Sequence, residues 1–267
     1  MDTPIGIVIA LVALLGAAML DGTSPMAFVN APALTIIFGG TFGATIASYS
    51  LHEFLALPGL LVLSSRPRPS GGADMRGLLV QLAERARREG LLALENSADQ
   101  VADPFVRRGL QMVIDGLEPD TVEEVLELEL EAMQRRHQKG IAMFQSMGGY
   151  APTMGIIGTV MGLVSVLSRL SDPSQLGASI AVAFIATLIG IASANILWLP
   201  IASNLRQKDT AEVAERRMAL VGIMAIQAGE NPRIVAQKLA SFGTPAAPTK
   251  PAGTGAPAAA VVVEQAA

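Results

Sequence analysis

The sequence contains no cysteine, few charged residues and only two histidines, His52 and His137. The lack of cysteine excludes disulfide bonds, thiol nucleophiles and cysteine-ligated metals, and two histidines predict no histidine metal site. Charged residues make up 16% of the 267 residues, whereas soluble domains contain about a quarter. Hydrophobic residues make up 51%, and only 4% are aromatic. This composition predicts a membrane protein whose helices pack through small aliphatic side chains.

Charge is absent from four long apolar runs, at residues 3–20, 32–51, 141–168 and 173–205. Because a bilayer crossing takes about 20 helical residues, each run can span a membrane. The last two exceed one crossing, so we expect their helices to tilt or to continue beyond the bilayer. The alternative for the first run is a cleaved signal peptide. Such peptides begin with basic residues, whereas this chain opens with Met1-Asp2-Thr3-Pro4, which favours a retained helix.

The basic residues are distributed unevenly among the segments between these runs. Eleven of the 19 lie between Arg66 and Lys139, seven lie between Arg206 and Lys250, and only Arg169 lies elsewhere. Basic residues concentrate in cytoplasmic segments of membrane proteins. The sequence therefore predicts a multi-pass membrane protein with both termini and the 52–140 segment in the cytoplasm.

The cytoplasmic segments carry helical patterns. A linker rich in Pro, Ser and Gly at 64–73 precedes apolar periodicity at 76–98, a short amphipathic helix at 105–116 and a longer one at 118–138. We expect an all-α fold with four transmembrane helices and a helical cytoplasmic subdomain. Its predicted parts are the first two spans (1–51), a cytoplasmic domain (52–140), the last two spans (141–205), a C-terminal cytoplasmic helix (206–242) and a disordered tail (243–267).

The four runs contain no Asp, Glu, Lys, Arg or His. Proton relays through membranes normally use an ionisable side chain at depth. A self-contained proton transporter is therefore disfavoured, and any carboxylate that carries protons must come from a partner. The neutral polar residues available in the last two runs are Thr159, Ser179, Thr187, Ser193 and Asn195.

Small residues form a face on each of the last two runs. In the third run this face holds Gly155, Gly158, Thr159 and Gly162; in the fourth it holds Ser179, Ala183, Ala186, Gly190 and Ala194, with Thr187 at its border. Such a face favours close packing between helices. The alternative is a smooth surface against which a helix of another protein turns.

Several ordered motifs resemble a known family. They are PALTIIFGGTFGA in the second run, ARREGLLALE and DPFVRRGLQMVIDG in the cytoplasmic segment, GGYAPTMGIIGTVMGLVSVL in the third run, and LSDPSQLGASIAVAFIATLIG and NILWLPIASNLRQK around the fourth. Through these motifs, residues 3–240 resemble the MotA family of flagellar stator proteins, within the MotA/TolQ/ExbB superfamily.

The resemblance implies an ion-channel subunit that forms a homo-oligomeric ring, a pentamer, around a MotB-type partner. That partner has a single span with an aspartate and binds peptidoglycan. Ion flow, of protons more than sodium, would drive torque on the rotor protein FliG. Membrane lipid is the other expected contact, and no nucleic acid, cofactor, metal or catalytic residue is implied.

The resemblance also assigns roles to individual residues. Pro152 and Pro200 would be gating prolines, although an ordinary kink is the alternative. Thr159, Thr187 and Ala186 would line the ion path. Sodium-driven relatives tend to place two adjacent threonines where this chain has Ala186-Thr187, and the missing hydroxyl favours protons because hard cations need oxygen ligands.

The charges expected to act on the rotor are Arg107, Arg108 and Asp115. Arg108 and Asp115 lie seven residues apart, on one helix face and about 10 Å apart along its axis. We expect both to be free to meet a partner; without the family, a solvated helix face would explain these charges.

Two further alternatives are an energising subunit of the same superfamily and a membrane enzyme. A TolQ- or ExbB-type energising subunit would have three spans and a different order of cytoplasmic segments. A membrane enzyme would need catalytic groups, and the GGTFG motif lacks the lysine of a phosphate-binding loop and lies inside a span. The sequence therefore predicts no enzyme.

Overall fold

The computed structural model describes residues 2–65, 72–168 and 176–242, and these are almost entirely helical. The predicted disordered tail, 243–267, lies outside the described residues, as does most of the predicted linker. In chain order the helices are α1 (Asp2–Leu20), α2 (Ala31–Ser48), α3 (Leu51–Leu55), α4 (Leu57–Ser65), α5 (Gly72–Glu89), α6 (Glu95–Ala98), α7 (Pro104–Ile114), α8 (Pro119–Ser168), α9 (Leu176–Ser193, continuing through Ala194–Trp198 and Leu199–Gln227) and α10 (Pro232–Ala240).

Four of these helices are long and apolar enough to cross a membrane: α1, α2, α8 and α9. The prediction of an all-α protein with four membrane-spanning helices is confirmed. None of residues 3–20 is buried within the chain, so α1 presents apolar side chains on most of its surface. α8 contains 50 residues and is about 75 Å long, far longer than one crossing. The expectation that the last two helices continue beyond the bilayer is therefore confirmed.

Beyond the apolar runs, α8 and α9 continue into a separate hydrophobic core. This core joins α5, α7, the first turns of α8, the last turns of α9, and α10, through side chains such as Leu79, Leu110, Leu126, Ile223 and Leu239. The segments 52–140 and 206–242, which the sequence separates, thus pack together. The predicted boundary at residue 140 lies inside α8, which continues through it without a break.

Local breaks in the cytoplasmic helices follow from single residues. Gly90 has a φ of 86°, which ends α5. The helical pattern expected through residues 76–98 is therefore interrupted at Gly90, and a 3₁₀ turn follows it. The carboxylate of Asp103 accepts hydrogen bonds from the backbone N–H groups of Phe105 and Val106, and Pro104 occupies the first turn of α7.

A juxtamembrane helical pair, α3 and α4, was not predicted from the sequence. Ser50 caps α3, and Glu53 completes a capping box with it. Leu61, Val62 and Leu63 of α4 remain exposed. The end of α4 is held by Lys208 of α9, whose ammonium group donates to the carbonyls of Leu63 at 2.5 Å and Ser64 at 2.8 Å. A cation at a helix C-terminus is stabilised by the helix dipole.

Candidate functional site

The small-residue faces of α8 and α9 pack directly against each other. A Cβ atom added to Gly155 would lie 3.0 Å from the carbonyl oxygen of Ala186, and one added to Gly190 would lie 2.7 Å from that of Ala151. Only glycine permits backbones to approach so closely. The packing interpretation is therefore confirmed. The alternative, a smooth surface left open for another protein's helix, is wrong for these glycines.

Thr159 and Thr187 meet at this contact between α8 and α9. Their hydroxyl groups form a short hydrogen bond with each other. The Thr159 hydroxyl also lies 3.0 Å from the carbonyl oxygen of Ala183 and 3.1 Å from that of Gly155. Both threonines are half-buried. Two hydroxyl and two carbonyl oxygens thus converge in an otherwise apolar span, where they can hold a water molecule or a proton donor.

Ala186 lies beside this oxygen cluster but not on a free surface. Only 2% of its surface is exposed, and its methyl group packs against Gly158. Within the described chain its side chain lies between α8 and α9, so it cannot line a path by direct contact. It affects the site through the spacing of the two helices.

The two prolines lie at a similar level of the α8–α9 pair. Pro152 is inside α8, one turn beyond Gly148, and Gly148 contacts Leu199, the neighbour of Pro200. Pro200 directly follows a π-helical turn, Ala194–Trp198, in which the helix is widened by one residue. Proline contributes no backbone N–H, so each helix lacks one bond of its regular ladder there.

Aromatic side chains surround this level of the pair. Trp198 is buried, and its ring lies 6.4 Å from Phe38, 6.1 Å from Phe42 and 6.5 Å from Phe144 between ring centres. Phe38 belongs to a second π-helical turn, Thr35–Gly39, in α2. Two irregular turns from different spans therefore meet around one tryptophan. Such turns occur frequently at functional sites.

The three charges expected to act on the rotor lie together on the exposed face of α7. Arg107, Arg108 and Asp115 border one shallow depression with Pro104, Gln111 and Met112. The expectation that Arg108 is free is wrong, because its guanidinium lies 2.6 Å from the carboxylate of Glu129 in α8. Arg107 donates two hydrogen bonds to the carbonyl of Val101, at 3.0 and 2.6 Å, and so fixes the loop before α7.

A buried carboxylate near the base of the spans was missed by reasoning from the sequence. Asp209 of α9 is 4% exposed and lies 2.9 Å from Nδ1 of His137 and 2.8 Å from Nε2 of Gln138, both in α8. Its spacing offered a signal. Asp209 follows the buried residues Ile201 and Leu205 at four-residue intervals, so it had to share their buried face.

Two carboxyl groups outside the spans have shifted pKa values. Hydrogen bonding to the Lys139 ammonium at 3.1 Å, and then to Ser50, lowers the pKa of Glu53. Burial, followed by repulsion from Glu212, raises the pKa of Glu215. Glu215 borders a cavity of about 400 Å³ next to Asp209, lined by both apolar and charged side chains.

Comparison with known proteins identifies relatives along most of the chain. A model of the MotA/TolQ/ExbB proton channel family matches residues 97–218. Motility protein A of Bacillus subtilis (strain 168) is 38% identical over 239 residues, which cover 89% of this chain and 88% of that protein.

Two solved structures share the fold. The C. jejuni MotAB structure matches with a TM-score of 0.87 and 27% identity, covering 93% of this chain and 98% of that chain. The flagellar MotAB stator complex from Bacillus subtilis matches with a TM-score of 0.85 and 36% identity, covering 92% and 97%.

Proposed function

This chain belongs to the motility protein A branch of the MotA/TolQ/ExbB proton channel family, and on that premise we propose that it is the ion-channel subunit of a flagellar stator. It forms a ring around a MotB-type partner and converts proton flow into torque. A TolQ- or ExbB-type role is less well supported, because several relatives that cover most of the chain are named motility protein A.

The observation that carries this proposal is a proton channel fold without a proton carrier. The four apolar runs contain no Asp, Glu, Lys, Arg or His, although the chain belongs to a proton channel family. A titrating group must therefore come from another chain. The solved relatives are complexes of MotA with MotB. A single-span MotB-type subunit, anchored to peptidoglycan, supplies the missing membrane carboxylate.

The oxygen cluster at Thr159 and Thr187 is the part of this chain that meets that carboxylate. One threonine hydroxyl donates to the other, and the Thr159 hydroxyl donates to the carbonyl of Ala183 or Gly155. Each hydroxyl keeps a lone pair that can accept a hydrogen bond from a water molecule or a protonated carboxyl group. The cluster thus stabilises the neutral, proton-loaded partner without adding a fixed charge.

Protons are the favoured ion, because the chain belongs to a proton channel family and no hydroxyl is contributed by Ala186. Its buried position means that a threonine there would also push α8 and α9 apart. Pro152 and Pro200, with the adjacent π-helical turn, form the flexible level at which the spans bend when the carboxylate gains or loses its proton.

The remaining parts of the proposal concern assembly. The chain forms a pentamer in the bacterial inner membrane, in contact with lipid and with both termini in the cytoplasm, as the distribution of basic residues supports. The exposed face of α7, with Arg107, Arg108 and Asp115, then contacts FliG. The Arg108–Glu129 ion pair is exposed enough to exchange partners when the rotor approaches.

The experiment substitutes valine for threonine, which keeps the branched shape and deletes the hydroxyl. Thr187→Val and Thr159→Val are expressed with a MotB-type partner in a motile host that lacks its own stator. We expect loss of rotation and of partner-dependent proton flux while the two subunits still co-purify. Thr153→Val is the matched control, because Thr153 is exposed on α8 and its hydroxyl bonds only to the carbonyl of Tyr150.

The two parts of the proposal fail differently. A wild-type chain that restores no rotation with any MotB-type partner refutes the stator function itself. Normal proton flux in an assembled Thr187→Val complex leaves the stator function intact and shows that the threonines only pack the helices.

A further inference from the structure

The antiparallel pair α8–α9 keeps one register from the spans into the cytoplasmic domain. Thr159 contacts Thr187 in the spans, and His137 contacts Asp209 below them. The step along α8 from residue 159 to 137 is 22 residues, and the step along α9 from 187 to 209 is also 22. At the far end, the side chain of Gln227 donates to the carbonyl of Leu117 at 2.8 Å. The first two contacts share one register, and the third, which is offset by two residues, joins the end of α9 to the turn before α8. These three polar contacts are the rungs of the pair.

The middle rung lies between two regions of close packing. Above it, glycines bring the backbones into contact; below it, the cytoplasmic core surrounds the helices. At the level of Asp209 the pair borders the cavity of about 400 Å³, which is lined by His137 and Ile141 of α8 and by Leu205 and Asp209 of α9. Polar bonds therefore add to the buried apolar contacts of Ile141 and Leu205 as the connection between α8 and α9 at this level.

The chemistry of the middle rung suits a rigid connection. The carboxylate of Asp209 accepts one bond from each of two neighbouring α8 residues, so both of its oxygens are held. Because Asp209 is 4% exposed, a shift of α9 along α8 would leave a buried carboxylate without these partners. The register can thus slip only at high cost.

We propose that Asp209, with His137 and Gln138, transmits movement of the spans to the cytoplasmic domain. The inference rests on the proposed stator function. Asp209 lies four residues beyond the end of the fourth charge-free run, 173–205, so it lies just below the spans, about 33 Å along the helix from the threonine rung. Asp209 is a positioning residue: it leaves ion passage unchanged and determines how much of the resulting motion reaches the rotor-facing helix α7.

The test separates force from ion flow. Asp209→Ala and the milder Asp209→Asn are expressed with the partner subunit, and the torque of single stator units is measured at stall, together with speed near zero load and proton flux in vesicles. We expect stall torque per unit to fall about twofold or more in Asp209→Ala, and less in Asp209→Asn, which retains one acceptor. Proton flux and co-purification with the partner should remain at wild-type levels.

Two further variants make the result specific. Exchanging the residues, with His137→Asp and Asp209→His in one chain, rebuilds the bond across the same gap and should recover much of the stall torque. Thr210→Ala is the matched control, because Thr210 is exposed and its hydroxyl bonds only to the carbonyl of Arg206 within α9.

Three outcomes would overturn the inference. Wild-type stall torque in an assembled Asp209→Ala complex shows that the rung transmits nothing. Flux and torque that fall in the same proportion place Asp209 in the ion path or in folding. Wild-type subunits that generate no torque at all refute the stator function on which the inference rests, and this outcome is recognised without any variant.

Discussion

The close approach of α8 and α9 can be tested by moving one methyl group from Ala186 of α9 to Gly158 of α8. A Cβ atom on Gly158 would lie 2.9 Å from the Cβ atom of Ala186, whereas carbon atoms in contact are normally about 3.5–4.0 Å apart. Neither methyl group can move away by rotating a side-chain bond. In Gly158→Ala the helices must therefore separate by several tenths of an ångström.

The cost of this separation is set by overpacking. Inserting a methyl group into a filled contact typically costs about 1–3 kcal/mol. The reverse change, Ala186→Gly, removes a buried methyl group and adds backbone freedom, for a loss of about 1–2 kcal/mol. The double variant carries one methyl group across the same gap, as the wild type does. Its loss should be smaller than the sum of the single losses by at least about 1 kcal/mol, as expected for contacting residues.

The assay is unfolding of the purified protein in lipid nanodiscs, followed by helical circular dichroism during a denaturant titration. Gly43→Ala is the control, because a Cβ atom on Gly43 meets nothing within 4 Å. If the loss in the double variant equals the sum of the losses in Gly158→Ala and Ala186→Gly within about 0.5 kcal/mol, the reasoning is refuted, since additivity means that the two residues do not share a contact. A Gly158→Ala protein as stable as Gly43→Ala would refute it as well.

Two other predictions concern charges outside the spans. Burial raises the pKa of Glu215, so the contribution of Glu215 to folding stability falls as pH rises through that pKa. In the same unfolding assay, Glu215→Gln should therefore stabilise the protein by about 0.5 kcal/mol at pH 8. Near pH 4 the stability of the variant should equal that of the wild type. An equal stability difference at both pH values would contradict this cause. Arg108→Glu should reduce both motility and stability by opposing Glu129, and adding Glu129→Arg should restore stability but not motility. Recovery of swimming together with stability would show that Arg108 serves only the ion pair.

The spans were predictable because they depend on a local property, the absence of charge over about 20 residues. The small-residue faces were also predictable from a local property, because the helical repeat alone places Gly155, Gly158 and Gly162 on one side of the helix. Which surface they contact was not predictable from the pattern. Only the antiparallel register of α8 and α9 places those glycines against Gly190, Ala186 and Ala183 of α9 and removes Ala186 from a free surface.

Contacts between distant segments account for most of what the sequence did not reveal. Arg108 and Glu129 belong to different helices, and the angle between those helices decides whether their charges meet. The break at Gly90 was hidden because glycine is tolerated within a helical pattern. The apolar helix α4 lies in the segment predicted to be cytoplasmic, and its nine residues show no alternation of polar and apolar faces that would indicate a helix there.

The shared register of α8 and α9 places a limit on how the gene can change. Inserting one residue into an α-helix rotates everything beyond it by 100° and advances it by 1.5 Å. A codon gained between His137 and Thr159 would therefore turn the N-terminal end of α8 away from Asp209, unless α9 gained one too. The π-helical turn at Ala194–Trp198 is the kind of structure by which a helix accommodates a single added residue without that rotation. Length differences among relatives should thus fall in the connections and at the C-terminus, and those inside the pair should coincide with a π-helical turn.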